Sequence, residues 1–332
     1  MGLLVYYVDV FFGSKAMRHS SDQQTNKKSF RVAGVLVTYF PEEGFFKKFL
    51  NYISEVDVWC IVDNGSGPTT SKNLDALEKQ FPTQVKIIKN HENYGLATAQ
   101  NQACNWAEKN HFDFFYFLDQ DSFPLAGSVN SLKTFFKEVA PSRRIGIIGS
   151  HVIHSSGKTQ KYWIHSWGVY RRKAIGENEA YLDSVNAVIS SGSLLPVQVW
   201  KNAGPFMDSY FIDYIDIEYC LRLRRLRYDI LVLREARILH QLGGSKKIEG
   251  GQGMLYSTFH SPFRRFMMTR NRVRTWKSYI LKFPGWFFVD LGNFIFDVFR
   301  IIVVEEQTWV NLRAIGRGLL GYESFLFREK KK

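Results

Sequence analysis

Residues 112–121 read FDFFYFLDQD, an apolar aromatic run that ends in two aspartates one residue apart. A run of this kind fits a buried strand, and Asp119 and Asp121 stand where such a strand emerges into solvent. Residues i and i+2 of a strand point the same way, so the two carboxylates aim at one spot. They repel there unless a cation joins them, and hard divalent ions prefer such oxygen ligands and often bridge to a phosphate. A bare D-x-D is also what a polar loop after a core strand looks like. A second acidic group, Asp213, Asp216 and Glu218, lies among Phe211, Tyr214 and Tyr219. Acids at a helix start are favoured by the helix dipole, but three of them beside aromatic rings would be costly in a plain core. One of them titrating near neutrality is expected.

The elements that must carry these groups alternate along the chain. RVAGVLVTYF reads as a β-branched strand from Arg31, and Pro41 with two glutamates opens a helix through about Ser54. VDVWCIVDNGS is a second strand ending in a turn, SKNLDALEKQF an amphipathic helix, QVKIIKN a third strand, and LATAQNQACNWAEKN a helix leading to the fourth strand at 112–121. This alternation implies a mostly parallel α/β sheet with helices on both faces. Ligands on such sheets bind at the carboxyl ends of the strands. Those ends carry Thr38, Asp63 with Asn64, Asn93, and Asp119 with Asp121, which points to a nucleotide-type site.

Beyond Pro141, RIGIIGSHVI is a strand, 155–182 a mixture of loops and short strands, and SVNAVISSGSLLP a strand broken by a small-residue turn. DYIDIEYCLRLRRLRYD reads as a helix, DILVLREARILH as a strand ending at His240, and GGSKKIEGGQG as a mobile loop. The pattern divides the chain into a flexible lead-in over 1–29, a catalytic domain over 30–256 and a basic, aromatic helical region over 257–332. In the lead-in, residues 3–12 form an apolar run too short to span a bilayer, without the positive flank of a secretory signal. Met17 offers an alternative start.

The chain has 332 residues, 45% of them hydrophobic and 16% aromatic, which excludes disorder and allows a large core. The net charge of +13 calls for an anionic partner: nucleic acid, anionic lipid or a phosphorylated substrate. Cys60, Cys104 and Cys220 are far apart without zinc-like spacing and read as reduced thiols in a cytosolic setting. In the tail, FPGWFFVDLGNFIFDVFRIIVV is long enough to suggest a membrane span, but Asp290, Asp297 and Arg300 are expensive at a bilayer centre. An amphipathic helix lying on an anionic membrane fits better. A helix packed on the catalytic domain and a self-association surface for a homo-oligomer are the competing readings.

Seven ordered segments resemble inverting glycosyltransferases of family 2, most of all the bacterial rhamnosyltransferases: VLVTYF at 35–40, VDNGS at 62–66, NYGLATAQN at 93–101, DQD at 119–121, SSGSL at 190–194, FIDYIDIEYCLR at 211–222 and ILHQLGGS at 238–245. The resemblance implies a GT-A fold and a nucleotide-sugar donor. It assigns Asp63 to the imide N–H of a uracil or thymine, with Thr38, Tyr39 and Asn64 around the same pocket. Asn93, Gly95 and Asn101 belong to a strand-to-helix turn at the nucleotide, where Gly95 would allow close backbone approach. Asp121 would coordinate Mg²⁺ or Mn²⁺ directly, Asp119 would serve the ribose or the metal, and His240 would be a third ligand.

The same resemblance makes Asp216 the base that takes the acceptor's proton as its oxygen attacks the anomeric carbon. Attack opposite the leaving group inverts the configuration without a covalent enzyme intermediate. Glu218 would orient the acceptor or the base, and Asp213, on the helical face of Asp216, would face the acceptor together with Ser191, Gly192 and Arg222. The implied reaction transfers L-rhamnose from dTDP-L-rhamnose to a glycan or lipid-linked glycan on the inner face of the cell membrane. Another hexose or galactofuranose from a UDP-sugar is the main rival. A nucleotidyltransferase would need a glycine-rich, arginine-containing loop after the first strand, which VTYFPEEG does not supply. No nucleic-acid-binding motif occurs, and a membrane scaffold leaves the polar strand ends unexplained.

Overall fold

The computed structural model describes residues 29–154, 157–166, 168–240 and 260–321. The expected lead-in, but for its last residue, and the glycine-rich loop at 243–253 lie outside the described residues. In chain order the elements are β1 (Val32–Thr38), α1 (Phe45–Phe49), β2 (Val58–Asp63), α2 (Pro68–Gln80), β3 (Val85–Lys89), α3 (Leu96–Lys109), β4 (Phe114–Asp119), β5 (Ser122–Pro124) and α4 (Ser128–Val139). There follow β6 (Ile145–His154), β7 (Tyr162–Ser166), β8 (Val169–Lys173), β9 (Tyr181–Leu182), β10 (Ser193–Pro196), α5 (Val197–Ala203), α6 (Ile215–Arg225), β11 (Asp229–His240), α7 (Pro262–Tyr279), α8 (Pro284–Val304) and α9 (Thr308–Leu320).

The first half of the sheet runs β3-β2-β1-β4, all parallel, with Thr38 beside Asp63 and Val37 beside Asp119. The second half continues β10-β6-β11-β5, and β9 also pairs with β11. β10 is antiparallel to both β4 and β6, β6 and β11 are parallel, and β5 is antiparallel to β11. The sheet is therefore mixed, its parallel part carrying the expected order. β7 and β8 form a separate antiparallel hairpin.

The period-2 alternation of the strands produces two cores. Ala33, Val35, Cys60, Val62, Phe115 and Phe117 face one layer with α3, α5 and α6. Leu36, Trp59, Ile61, Tyr116 and Leu118 face the other, with α1, α2 and α4. Helices thus cover both faces. The three cysteines are free and buried in the first layer. Burial pushes the thiols of Cys60 and Cys220 up to about 12, so they are inert packing groups.

Three sequence expectations shift. The helix from Pro41 to Ser54 is only the five residues of α1 plus a 3-10 turn at Ile53–Glu55, because Gly44 supplies no capping side chain and Phe45 and Phe49 suffice to seal the sheet. The strand over 184–196 is real only at Ser193–Pro196, since Gly192 turns the chain at φ +78°. The helix over 213–229 begins at Ile215, because Asp213 and Tyr214 have φ of +63° and +65°, a left-handed conformation outside any helix.

The C-terminal helices are not set apart from the sheet and its helices. Phe266 and Met267 of α7 and Ala314 of α9 form a small core with Phe211 and Ile212. Tyr279 at the end of α7 donates from its hydroxyl to Glu218 of α6 at 2.7 Å. The outward faces of α8 and α9 expose Phe288, Ile295, Phe299, Ile302 and Trp309. Among the described residues no helix is long and apolar enough to cross a membrane.

Candidate active site

β4 delivers Asp119 at its end, and Asp121 follows in the turn before β5 rather than in the strand itself. The expected i, i+2 geometry is therefore replaced by a turn, yet the convergence survives. Ligand atoms of Asp119, Asp121 and His240 all lie within 4.8 Å of one another. β5 pairs with the end of β11, placing His240 opposite Ser122, whose hydroxyl lies 2.6 Å from His240 Nδ1. His240 Nδ1 is 3.8 Å from Asp121 Oδ1. Among the described residues that Asp121 oxygen is buried without a hydrogen-bond partner, which a bound cation would satisfy. Two carboxylates and an imidazole suit Mg²⁺ or Mn²⁺. Burial, and then the charge of Asp121, push Asp119 up to about 7 against the pull of Arg264. A cation would reverse that balance.

The trio lies on the wall of a cavity of about 780 Å³ that also takes in Asp216. Asp216 sits in the first turn of α6, half-buried, with Oδ1 accepting from the N–H of Ile217 at 2.8 Å. Burial dominates and, with the charges of Asp213 and Asp119, raises its carboxyl to about 6. The cavity therefore contains a cation-ready wall and a carboxylate tuned toward neutrality.

The turn residues divide into cavity wall and scaffold. Tyr39, Asn64, Asn93 and Gly95 line the cavity. Asn64 Nδ2 donates to Asn93 Oδ1 at 2.8 Å, and that same oxygen accepts from the N–H of Gly95 at 2.9 Å. Gly95 has φ +90°, and a Cβ there would lie 2.6 Å from the ring of Phe211, so both conformation and space demand glycine. Thr38 and Asp63 are buried beside this wall. Thr38 donates to Asp63 at 3.1 Å, and both the hydroxyl and the N–H of Ser66 also donate to Asp63, closing an Asx-type turn.

Several predicted site residues are tied into the surrounding scaffold. Asn101 holds Phe206 through both its N–H and its carbonyl and donates to Asp208 at 2.8 Å. Ser191 accepts from the N–H of Asp119 at 3.0 Å, and Gly192 lies under Ile238. Glu218 and Arg222 are paired with each other in the interior, and Arg222 also donates to the carbonyl oxygens of Ala203 and Pro205. Neither reaches the cavity wall. The expectation that Glu218 orients an acceptor and Arg222 contacts it gives way to a buried ion pair that fixes α6. Asp213 does line the cavity, but from the left-handed segment before α6, where it is gripped by Arg264 of α7.

Other groups were silent in the sequence. Gln120 accepts from Tyr39 N–H at 2.9 Å and donates to Tyr39 C=O at 3.1 Å, tying the ends of β1 and β4 together. Its place between two aspartates was the one available signal. α7 and α8 contribute Arg264, Arg272, Trp286 and Asp290 to the cavity, and the β7–β8 hairpin contributes Trp163. No local pattern marks these residues, because they arrive from elements distant in sequence.

Comparison with known proteins bears on the fold and the family. Residues 35–195 match the family model Glycosyl transferase family 2. The dTDP-rhamnosyl transferase RfbF of Shigella flexneri is 28% identical over 247 residues, covering 72% of this chain and 78% of that one. Among solved structures, GalNAc-T7 with UDP, GalNAc and Mn²⁺ superposes with a TM-score of 0.57 at 13% identity. That alignment covers 89% of this chain and 56% of the GalNAc-T7 chain, so this chain spans little more than half the length of that protein. Residues 1–349 of TarS from S. aureus, in complex with UDP-GlcNAc, give a TM-score of 0.48 at 14% identity, covering 87% and 72%. The likeness to GalNAc-T7 is one of fold, a GT-A-like mixed sheet with helices on both sides.

Proposed function

The chain belongs to glycosyltransferase family 2, and from that premise we propose that it transfers L-rhamnose from dTDP-L-rhamnose to a hydroxyl of a glycan or lipid-linked glycan in cell-surface polysaccharide synthesis. Transfer from a nucleotide sugar is the family's reaction. The carrying observation is one cavity with Asp119, Asp121 and His240 on its wall and the raised carboxyl of Asp216 facing the same space. Asp119, Asp121 and His240 would hold Mg²⁺ or Mn²⁺, and a divalent ion there supplies charge neutralisation for the departing nucleoside diphosphate. Asp216 takes the proton of the acceptor hydroxyl as that oxygen attacks the anomeric carbon. Configuration inverts because the attacking oxygen and the leaving group lie on opposite sides of that carbon.

The rhamnosyl reading draws on the Shigella relative and on the ordered motifs at 190–194 and 211–222. The nucleotide end of the cavity is formed by Tyr39, Asn64, Asn93 and Gly95 over the Asp63 turn, and a carboxylate there suits the imide of thymine or uracil. The catalytic unit takes in 30–256 together with the inward faces of α7 and α8. The outward apolar faces of α8 and α9, flanked by Lys277, Lys282 and Arg313, serve attachment to an anionic membrane, the inner face of the cell membrane in this reading.

A donor panel with Mn²⁺ and Mg²⁺ tests the assignment. dTDP-L-rhamnose is consumed in preference to UDP-hexoses and UDP-galactofuranose, and the product anomer is opposite to the donor's. Preference for a UDP-sugar would reassign the sugar within the family. A retained configuration would overturn the role of Asp216.

A further inference from the structure

We propose that Arg264 is the protein cation that meets the donor's diphosphate, and that it ties the diphosphate to the catalytic segment by holding Asp213 with its other edge. The inference rests on the nucleotide-sugar reading above. Arg264 lies in the first turn of α7, its N–H capped by the Ser261 hydroxyl at 3.2 Å. Its Nε and Nη2 each donate to a separate oxygen of Asp213 at 2.9 Å, a fork-to-carboxylate pair. Nη1 makes no hydrogen bond among the described residues, and the side chain remains 41% exposed. The unused edge therefore belongs to a group on the cavity wall. Arg264, Asp119 and Asp121 line the same cavity, close enough for their charges to act on one another.

The charge balance of the reaction favours such a group. As the acceptor oxygen bonds to the anomeric carbon, the carbon–oxygen bond to the diphosphate breaks. Its electron pair stays on the diphosphate, and the acceptor proton goes to Asp216. The two aspartates offset much of the charge of a divalent ion held there, so the ion neutralises only part of the charge growing on the leaving group and a cation of the protein beside it would take up more. The cavity wall offers Lys161, Arg264 and Arg272. Arg272 is buried and committed to Asp290 at 3.2 Å, to Asp297 at 3.5 Å and to the Tyr214 hydroxyl. Lys161 leads into the β7–β8 hairpin beside Trp163. Arg264 is the cation that shares the electrostatic field of Asp119.

The pairing with Asp213 is itself rigid. Asp213 stands at φ +63°, and its carbonyl oxygen accepts from Asn271 Nδ2 at 3.0 Å, so its carboxylate is a fixed seat for the guanidinium. A lysine would supply charge without the planar fork.

The test is calorimetric binding of dTDP against dTMP, and of UDP against UMP, to the full chain with Mn²⁺. The wild type prefers the diphosphate. Arg264→Ala and Arg264→Gln lose about tenfold or more of that preference, as expected for one charge-assisted hydrogen bond to phosphate, while monophosphate binding is kept. Arg264→Lys restores part of it. Asp213→Asn loosens the seat but leaves the Arg264 charge in the cavity, so it loses less of the preference than Arg264→Gln, which separates a diphosphate contact from a purely structural pair. An unchanged diphosphate-to-monophosphate ratio in Arg264→Gln overturns the proposal, as does an Asp213→Asn variant with the same loss as Arg264→Ala. A wild-type chain that binds neither nucleotide with Mn²⁺ overturns the donor reading itself, a different failure.

Discussion

Asn271, fully buried in α7, donates to the carbonyl oxygen of Asp213 at 3.0 Å and through the same nitrogen to those of Ile212 and Tyr210 at 2.9 and 2.7 Å. The segment it holds contains Phe211, Asp213 and Tyr214, all at positive φ, an arrangement that costs energy in non-glycine residues. A single side-chain amide from the C-terminal region thus stabilises the strained approach to Asp216. Asn271→Ala leaves buried carbonyls unsatisfied and is expected to cost roughly 1–3 kcal/mol of stability. Turnover should fall further than nucleotide binding, because the catalytic segment relaxes while the Asn64–Asn93 wall is untouched. Denaturant melts and a split of kcat from donor KM measure the two effects. A variant with wild-type kcat would remove Asn271 from the positioning role.

Asp121 and His240 carry the metal prediction. Asp121→Ala should weaken Mn²⁺ binding by at least the ~10-fold seen when metal-site support is lost, and abolish sugar transfer while leaving the far-ultraviolet circular dichroism unchanged. His240→Ala should act in the same direction. Calorimetry with Mn²⁺ checks both. Full transfer activity of the wild type in excess chelator would show that these residues serve something other than a cation.

The first half of the molecule was legible in the sequence because its signals are local. β1, β2, β3 and β4 are apolar runs that end in polar residues, and helices between them leave few topologies. Asp119 and Asp121 stood out because they close the apolar run of β4, whereas Asp216 and His240 stood out through the resemblance of their segments to the family. What escaped was the partner of each polar group. Nothing local distinguishes Glu218, locked to Arg222 and Tyr279, from Asp216, open to the cavity two residues earlier. Nor does the sequence around Arg264 announce that it will meet Asp213, 51 residues away. The C-terminal region reads as separate because its composition changes, whereas its inward faces complete the site.

Glu218 gives the clearest contrast with its neighbour. It is buried against Arg222 and accepts from Tyr279. Glu218→Gln leaves the Arg222 charge uncompensated in the interior, which costs about 3–5 kcal/mol by the usual measure of a broken buried pair. The expected phenotype is a large drop in denaturation midpoint, with donor KM near normal in the folded fraction. Unchanged stability with a large loss of kcat would return Glu218 to the chemistry.

The exposed apolar residues of α8 and α9 predict surface attachment. Full-length protein should float with vesicles containing phosphatidylglycerol and much less with pure phosphatidylcholine, and added salt should weaken the association by screening. Lys282→Glu with Arg313→Glu should reduce binding without altering transfer to a soluble acceptor. Equal flotation with neutral vesicles at high salt would mean that apolar contact alone suffices, and concentration-dependent dimerisation without vesicle binding would assign the face to a second copy of the chain.

Asp216 ties the electrostatics to the reaction. Its carboxyl is raised to about 6, above the ordinary range of an aspartate, chiefly by burial. A base works only when ionised, so kcat/KM should be high above pH about 6 and fall about tenfold per pH unit below it. Transfer is read with the cation bound, and a cation on Asp119 offsets one of the charges that raise Asp216, so the acid limb should lie at or below about 6 rather than above it. Asp216→Asn keeps the shape and removes the basicity. It should bind dTDP with Mn²⁺ as the wild type does, lose at least the ~10²-fold typical of a general base, and show no acid limb near 6. An Asp216→Asn enzyme that keeps both its rate and the limb would place the titrating group elsewhere on the wall.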